Sequence, residues 1–302
     1  MYDPHERSKA QRNMTDPRLS VIIPVWNGAS VISGALEALG QQTVDRALFE
    51  VIVVNNGSTD NTAKIVAGFP HARLLSEPEP GSYRARNRGI AAARGDFLLF
   101  TDADCLPAAD WIEKALEYCI RNPDALIGGR VLLYRQERAG RFSTLYDELT
   151  GFNQEWNLTQ NRMCVTANWL CHRSTLDAVG GFNSELLSGG DAECSRRLAD
   201  SGAPLIYAPD MVVRHPSRAS IGELVKKKRR VIGGRWQKFE RPSFAPFART
   251  LVGESRRQII KIKDSPNSKL DRVGMGAIAL TMLAVSELEL CRLRAGFKPF
   301  RS

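Results

Sequence analysis

The first 135 residues alternate between two hydrophobic periods. Short apolar runs, rich in β-branched residues, are each followed by a stretch of helical period. The apolar runs predict five strands, at residues 19–24, 49–55, 73–76, 97–101 and 125–133. Helices are predicted between them. Ser30 is expected to cap the first, Gly95 to end the helix 82–94, and Asp110 with Glu113 to form a capping box at 111–121.

Strands that alternate with helices indicate an α/β protein with a doubly wound, mainly parallel sheet. In such sheets ligands bind beyond the carboxyl ends of the strands. Polar residues follow several of the predicted strand ends, namely Asn27, Asn55, Asn56, Asp102 and Asp104. A ligand site at this rim is one interpretation. Ordinary turn chemistry is the other, and it alone explains Asn56-Gly57.

After residue 135 the pattern is looser. Further strands are predicted at 165–171 and 204–208, and a helix begins near Asp191. Residues 141–161 carry aromatic side chains near helical spacing, at Phe142, Tyr146, Phe152 and Trp156. Core-facing aromatics on a helix are favoured over a stacking platform for an acceptor.

The ends and the cysteines give weaker information. Residues 1–17 are polar and are expected to be a loose leader without a signal peptide. The six cysteines form no CxxC pair, which favours a reducing compartment. No run of ~18 uncharged apolar residues is present. The nearest, 274–286, is either a membrane-surface segment or, as is favoured, a buried helix.

Charge divides the chain in two. The formal net charge is +9. Residues 1–213 hold 21 Lys+Arg and 26 Asp+Glu, whereas residues 214–302 hold 21 Lys+Arg and only 7 Asp+Glu. This asymmetry indicates a polyanionic partner: nucleic acid, anionic lipid or a phosphate-bearing substrate. The densest positive run, residues 226–230, is equally compatible with a solvated helix face. Nucleic acid is not expected, because no recognisable binding motif is present.

Three positions carry candidate chemistry. Asp102-Ala103-Asp104 places two carboxylates at the end of a strand, where they can share Mg²⁺ or Mn²⁺ with substrate phosphates. Asp191 follows two glycines at a helix start, where an acid gains from the helix dipole; taken alone, it is more simply an N-cap. His215 precedes the basic segment, and a lone histidine is more often structural.

Taken together, the ordered strings resemble a family-2 glycosyltransferase of the GT-A fold. They are SVIIPVWN (20–27), VIVVNNGSTDNT (51–62), GSYRARNRGI (81–90), FLLFTDAD (97–104) and GGFNSELLSGGDAECSRRL (180–198), followed by His215. The resemblance covers roughly residues 19–216, and the order of the strings makes it more specific than any one of them.

The resemblance implies a nucleotide-diphosphate-sugar donor, with a UDP-sugar favoured, and a divalent cation, Mg²⁺ or Mn²⁺. It implies the following roles by position: Pro24, Trp26, Asn27, Asn56, Asp60 and Ala103 in the nucleotide-sugar pocket, Arg86 at the phosphates or ribose, Asp102 at the ribose and metal, Asp104 as the principal metal ligand, His215 completing the metal or pyrophosphate site, and Asp191 as the catalytic base. The expected reaction is an inverting transfer to a hydroxyl of a lipid-linked or glycan acceptor.

The chain departs from the family pattern in three places. Asn55-Asn56 stands where at least one Asp is usual, Gly190 stands where an acid often precedes the base, and Ile232 replaces the Gln of the QxxRW string, of which Arg235-Trp236 remain. The last departure favours a single transfer over polymer synthesis. A nucleotidyltransferase is an alternative, although residues 25–30 lack a phosphate-loop signature. A non-catalytic sugar-nucleotide or glycan-binding protein is another, which the two asparagines keep open.

The implied organisation is a leader over residues 1–17, a GT-A domain over 18–216 and a basic, mainly helical extension over 217–302. The expected location is cytoplasmic and peripheral on the inner face of the cell membrane. Residues 218–302 would contact an anionic membrane surface there, in polysaccharide biosynthesis for the cell envelope.

Overall fold

The computed structural model describes residues 17–238 and 244–300, so the leader predicted over residues 1–17 lies almost wholly outside it. The described chain forms one sheet of eight strands with helices on both faces. The strands are β1 (Leu19–Val25), β2 (Phe49–Asn55), β3 (Ala72–Ser76), β4 (Phe97–Phe100), β5 (Leu106–Pro107), β6 (Leu126–Tyr134), β7 (Trp169–His172) and β8 (Leu205–Pro216).

Eleven α-helices are found in the described residues. They are α1 (Ile32–Gly40), α2 (Thr62–Ala67), α3 (Ser82–Ala92), α4 (Trp111–Arg121), α5 (Arg141–Thr150), α6 (Gln154–Asn161), α7 (Arg173–Asp177), α8 (Gly190–Asp200), α9 (Ile221–Lys238), α10 (Phe244–Asp264) and α11 (Lys269–Arg294).

The strand order is β3-β2-β1-β4-β7-β6-β8-β5. The pairs β3–β2, β2–β1, β1–β4 and β6–β8 are parallel, whereas β7 is antiparallel to both β4 and β6, and β5 is antiparallel to β8. The mainly parallel α/β sheet predicted from the alternating pattern is confirmed. Because β1, β2 and β4 are parallel neighbours, the loops that follow them meet at one edge of the sheet.

The sheet separates two parts of the hydrophobic core. Successive β1 residues point to opposite faces, so Val21 and Ile23 pack with α1 and α4, whereas Ile22 packs with α3 and α8. Every residue of β1 except Pro24 is buried, which explains its continuous apolar run.

The helices are present, but the predicted capping contacts are not made. The N-cap of α1 is Val31 and not Ser30, and Asp110 is the N-cap residue of α4 but its side chain makes no cap hydrogen bond. Glu113 instead accepts a hydrogen bond from Thr43 Oγ1 at 2.9 Å. The helix α3 ends at Ala92, and its C-cap is Ala93 rather than Gly95. A side chain at Gly95 would collide with the backbone of Leu19, so this glycine allows a close approach to β1.

Two other predictions need correction between residues 141 and 172. The strand predicted at 165–171 is a short 3-10 turn at Thr166–Asn168 followed by β7. The aromatic residues lie on two helices and the loop between them, not on one helix. Tyr146 is buried and Phe142 packs beside it, as core residues should, but Trp156 is 57% exposed.

The last three helices pack on α5. Arg141 makes two hydrogen bonds to Asp271 of α11, at 2.7 and 2.8 Å, and Tyr146 donates to Gln258 of α10. The inner face of α11, with Met275, Ile278 and Met282, joins the same core cluster. One described helix, α11, is long and apolar enough to cross a membrane, and 39% of its most apolar window is buried against the protein. The segment 274–286 is therefore part of a packed helix.

A candidate active site at the carboxyl edge of the sheet

A cavity of about 980 Å³ opens beyond the carboxyl ends of β1, β2 and β4. Its lining includes all the predicted site residues except Asp60: Pro24, Trp26, Asn27, Asn56, Arg86, Asp102, Ala103, Asp104, Asp191 and His215. The structure thus brings together side chains that are almost 200 residues apart in the chain.

The loop after β4 and the end of β8 form a group of potential metal ligands. Ligand atoms of Asp104, Cys105 and His215 all lie within 4.8 Å of one another. His215 Nε2 is 3.5 Å from Asp104 Oδ1, and Arg218 Nη1 is 3.9 Å from Asp104 Oδ2. Burial raises the pKa of the Cys105 thiol well above its usual value, and its Sγ faces the carbonyl oxygen of Ala167.

The orientation of His215 suits a cation. Its Nδ1 lies 2.7 Å from the carbonyl oxygen of Pro216, which can only accept, so Nδ1 carries the proton and Nε2 offers a lone pair. Phe152 packs on the imidazole with ring centroids 4.9 Å apart and fixes its plane. A carboxylate oxygen and an imidazole nitrogen directed at one small volume fit a divalent cation.

Arg86 and Asp102 form an ion pair on the floor of the cavity. Arg86 lies on α3, is 4% exposed and donates from Nη2 to Asp102 Oδ1 at 2.6 Å. Its Nε is buried without a hydrogen-bond partner among the described residues. Asp102 is therefore held by Arg86 and lies outside the group of Asp104, Cys105 and His215.

Asp191 also lines the cavity, from the first turn of α8. Its Oδ1 accepts a hydrogen bond from the hydroxyl of Tyr83 at 3.2 Å and another from the backbone of Ala192. Burial raises the pKa of Asp191, although these hydrogen bonds and the charge of Arg86 oppose it. Burial also raises the pKa of Tyr83, so the phenol keeps its proton and donates. A carboxylate with a raised pKa that faces a cavity can serve as a general base.

Gly190 is explained by Tyr83. A Cβ at position 190 would lie 2.7 Å from the Tyr83 ring, so no side chain fits there while the tyrosine holds its place. The preceding Gly189 has φ +78° and begins the helix. The acid expected before the base is thus replaced by an aromatic ring from α3, whose hydroxyl reaches the base.

Side chains predicted to bind the nucleotide instead link the loops that follow β1, β2 and β3 to one another. Asn56 donates from Nδ2 to the carbonyl oxygens of Glu77 and Glu79, at 3.0 and 2.7 Å, and accepts from Gly81 N at 2.7 Å. Asp60 is exposed and lies outside the cavity lining, since its carboxylate accepts from Ala29 N and from Thr62.

Asn27 also links the loops that follow β1 and β2. Its backbone has φ +49°, and its Oδ1 accepts from Thr59 N at 2.8 Å. Asn27 and Asn56 thus line the cavity with their amide groups already engaged by the protein. Trp26 beside them is 44% exposed.

The basic helix α9 forms another part of the wall. Lys227, Arg230, Val231, Gly234 and Arg235 line the cavity. The helix approaches the loop before Asp191 closely, because a Cβ at Gly234 would lie 2.7 Å from the backbone oxygen of Ser188. The run 226–230 is therefore not simply a solvated face.

Tyr83, Cys105 and Phe152 are the site residues that the sequence analysis missed. Tyr83 lies inside the string GSYRARNRGI, and its position three residues before Arg86 on a helix could have indicated a shared face. Cys105 adjoins Asp104. Phe152 was noted only as one of four aromatic residues near helical spacing, and no local signal could indicate its contact with His215, which joins distant parts of the chain.

Comparisons with known proteins agree with this geometry. A family model described as "Glycosyl transferase family 2" matches residues 20–180, which include Arg86 and Asp104 but end before Asp191. The glycosyltransferase AglE of Haloferax volcanii is 36% identical over 228 residues, 74% of each chain. The pre-mycofactocin glycosyltransferase of Mycobacterium tuberculosis is 29% identical over 218 residues, 70% of this chain and 45% of that one, so this chain spans less than half of that relative's length.

Solved structures show the same fold. The mannosyltransferase PcManGT of Pyrobaculum calidifontis, in complex with GDP-Man and Mn²⁺, superposes with a TM-score of 0.57 at 20% identity, over 94% of this chain and 80% of that one. S. aureus TarS 1–349 in complex with UDP-GlcNAc superposes with a TM-score of 0.55 at 18% identity, over 93% of this chain and 73% of that one. The fold is GT-A, as the sequence analysis expected.

Proposed function

The chain belongs to glycosyltransferase family 2, and on this premise we propose that it uses a nucleotide-diphosphate-sugar donor to transfer one sugar to an acceptor hydroxyl, with inversion at the anomeric carbon. The observation that carries the proposal is the cavity itself. It is lined both by Asp191, whose pKa is raised by burial, and by the pair Asp104–His215. Proton removal and stabilisation of a leaving diphosphate are the two tasks of such a transfer.

In this proposal Asp191 accepts the proton of the acceptor hydroxyl as the hydroxyl oxygen attacks the sugar. The hydrogen bond from Tyr83 sets the direction of the carboxylate and limits its basicity. A single base is sufficient for direct displacement with inversion. The side chain at position 232, Ile, is buried and cannot supply the amide of the QxxRW string, which supports one transfer rather than processive synthesis.

The donor is assigned to the side of the cavity formed by the first strands. Pro24, Trp26, Asn27, Asn56 and Ala103 would enclose the nucleotide. Arg86, with its partnerless Nε, would bind a phosphate or the ribose beside Asp102. A UDP-sugar is favoured. TarS and PcManGT, whose structures hold UDP-GlcNAc and GDP-Man, support a donor of this class.

Mg²⁺ or Mn²⁺ would be held by Asp104 and His215, with Asp102 adjacent. The cation would supply positive charge for the leaving diphosphate. Arg218, 3.9 Å from Asp104, would add a fixed charge at the same place.

The acceptor is a glycan or a lipid-linked molecule, and the proposed place of action is the inner face of the cell membrane. The outer face of α11 supports contact with an anionic membrane, because Leu270, Val273, Leu280 and Leu288 are 59–71% exposed and the surrounding segment is basic. A relative that serves in PGL/p-HBAD biosynthesis and the neighbour TarS support a role in polysaccharide biosynthesis for the cell envelope.

The first test is the thermal stability of the full chain with UDP, GDP, CDP and dTDP, each with and without Mn²⁺. A ligand at ~100 times its Kd adds about 2.7 kcal/mol to the free energy of unfolding. We expect one nucleotide, UDP, to raise the Tm in a Mn²⁺-dependent way. No shift with any nucleotide would contradict the proposed donor.

Membrane contact is tested by flotation with vesicles that contain phosphatidylglycerol, against vesicles of phosphatidylcholine alone. Deleting residues 218–302 would also remove the cavity wall, so surface variants are better. The double variant Leu280→Gln, Leu288→Gln should lose flotation with anionic vesicles. The change Ile120→Gln, at an exposed site on α4, should not. Unchanged flotation of the double variant would contradict the assignment of α11.

A further inference from the structure

Two arginines of the cavity lining, Arg86 and Arg230, each have a buried Nε without a hydrogen-bond partner in the described part of the chain. Arg86 is paired with Asp102 and belongs to the donor side. The side chain of Arg230 makes neither an ion pair nor a hydrogen bond with any described residue, and the proposed donor site does not use it. A buried N–H without an acceptor is costly, and an anion is the acceptor that best suits a guanidinium.

The position of Arg230 on α9 places it between the two ends of the reaction site. Lys227, Arg230 and Gly234 follow one another at helical spacing on the face toward the cavity. Near Lys227 the helix reaches the metal group, because Nζ lies 5.6 Å from the Phe152 ring that packs on His215. At Gly234 it touches the loop before Asp191. Lys227 and Gly234 are about 10 Å apart along the helix axis.

Four neighbouring cations of α9 are already in ion pairs, two of them with the same carboxylate, that of Glu254. They form the ion pairs Lys227–Asp147, Lys228–Glu254, Arg229–Glu289 and Arg235–Glu254. Arg196 of α8 also lines the cavity, is exposed and makes no ion pair among the described residues. Two guanidinium groups, Arg196 and Arg230, therefore remain available to an anion beyond those assigned to the donor.

The same cavity also has apolar lining. Val231 of α9 and Phe247 and Leu251 of α10 line it together with the two arginines. Phe247 and Leu251 are nearly fully buried, in a cluster with Ile232 and Leu290. A guanidinium beside hydrocarbon fits an anion that carries an apolar chain.

We propose that Arg230, together with Arg196, binds the phosphate of a phosphate-bearing acceptor, and that Val231, Phe247 and Leu251 contact hydrocarbon next to that phosphate. The proposal rests on the proposed function, whose acceptor class it narrows. Arginine binds phosphate through paired N–H donors, which lysine cannot reproduce. A lipid phosphate and a small phosphorylated sugar share this chemistry, and the apolar wall favours the lipid.

The experiment measures binding to the full chain saturated with UDP and Mn²⁺, using octyl phosphate, inorganic phosphate and octyl glucoside as probes. We expect Arg230→Gln to lower the affinity for octyl phosphate by about tenfold or more and to leave the affinity for octyl glucoside unchanged. Lys226→Gln is the matched control, because Lys226 is exposed on the same helix, outside the cavity lining. Its affinity for octyl phosphate should stay within about twofold of the wild type.

The two phosphate sources are separated in the same series. If the wild type binds octyl phosphate more tightly than inorganic phosphate, and Leu251→Ala removes this difference, the natural acceptor is a lipid phosphate. If the wild type binds the two probes with equal affinity, the acceptor is a small phosphorylated molecule. In both cases the loss in Arg230→Gln supports the phosphate site.

Two results would overturn the proposal. One is an unchanged affinity of Arg230→Gln for octyl phosphate, and the other is a loss of UDP binding in its place, which would assign Arg230 to the donor. If Arg230→Gln fails to fold, Arg196→Gln carries the test at an exposed site, with an expected loss of about threefold or more. A wild type that binds octyl phosphate but no nucleotide would contradict the proposed donor and leave this phosphate site standing.

Discussion

The hydroxyl of Tyr83 lies 3.2 Å from Oδ1 of Asp191 and donates a hydrogen bond to the side chain proposed as the base. The ring that carries this hydroxyl is 5% exposed, stacks on Phe182 and fills the space that a side chain at Gly190 would need. The orientation of Asp191 is therefore set by a residue more than 100 positions earlier in the chain.

Replacing Tyr83 with Phe should change the pH dependence more than the fold. Asp191 must be deprotonated to act, and its pKa is already raised by burial, so activity falls as the pH falls through that raised value. Loss of the hydrogen bond to the charged form raises the pKa further. The acidic limb of the kcat/KM profile should move up by as much as about one pH unit. Tyr118→Phe is the control, because it removes a hydroxyl that binds Asp210 at the surface; a matching shift there would refute the assignment.

Asp191→Asn should separate chemistry from binding. The amide cannot accept the acceptor's proton, so turnover should fall by about 10²–10⁴-fold. The nucleotide-dependent rise in Tm should persist, because Asp191 is not among the residues assigned to the donor. Turnover that survives the substitution would remove Asp191 from the role of base. Loss of turnover with loss of nucleotide binding would indicate a structural role.

Asn56→Asp should destabilise the protein, although it brings the chain closer to the family pattern. Nδ2 of Asn56 donates to the carbonyl oxygens of Glu77 and Glu79, and a carboxylate would place oxygen against oxygen at both. The expected loss is about 2–4 kcal/mol in the free energy of unfolding, measured by denaturant titration. Asn55→Asp is the matched control. Within residues 17–238 and 244–300, the side chain of Asn55 is bonded only through Oδ1, which accepts from Ser58 N. A carboxylate keeps this bond, so Asn55→Asp should lower the free energy of unfolding by less than about 0.5 kcal/mol.

Asp104→Asn and His215→Gln should each abolish the Mn²⁺-dependent part of the nucleotide's stabilising effect. The amides are poorer ligands than the carboxylate and imidazole that now face one volume. Cys105→Ser should retain the Mn²⁺ effect, because the thiol faces the Ala167 carbonyl oxygen. Titration of Mn²⁺ at fixed UDP, followed by Tm, distinguishes these cases. A loss confined to Cys105→Ser would mean that the thiol is the ligand.

The strands β1, β2 and β4 were predictable because each is a short apolar run largely buried by its neighbours, as in Phe49–Asn55. The helix caps were not, because their side chains have tertiary alternatives. Glu113 could serve its own helix but instead binds Thr43, from another part of the chain. In the sequence, Gly95 indicates the end of a helix. In the structure it allows the backbone of β1 to pack against it, which no local pattern could show.

The site was predictable where its residues fall in family strings, and less so where partners decide the role. Asn56 and Asp60 were expected at the nucleotide, but their polar atoms fasten loops together. For the run 226–230, a sequence cannot show which cations have acids beside them. The structure pairs Lys227 with Asp147 and leaves Arg230 without a described partner. The boundary at 216/217 remains a prediction.

The close contact between Gly234 and Ser188 joins the two halves of a divided site. Residues 24–104 supply the loops assigned to the nucleotide, whereas residues 188–254 supply the base, the wall assigned to the acceptor, and also His215 and Arg218 beside Asp104. Because each half is contiguous in the chain, a graft of the second half that keeps His215 and Arg218 could exchange the acceptor and leave the sugar nucleotide unchanged. Gly234 is the point at which such a chimaera would have to match, since any larger residue there would push α9 away from the loop that carries the base.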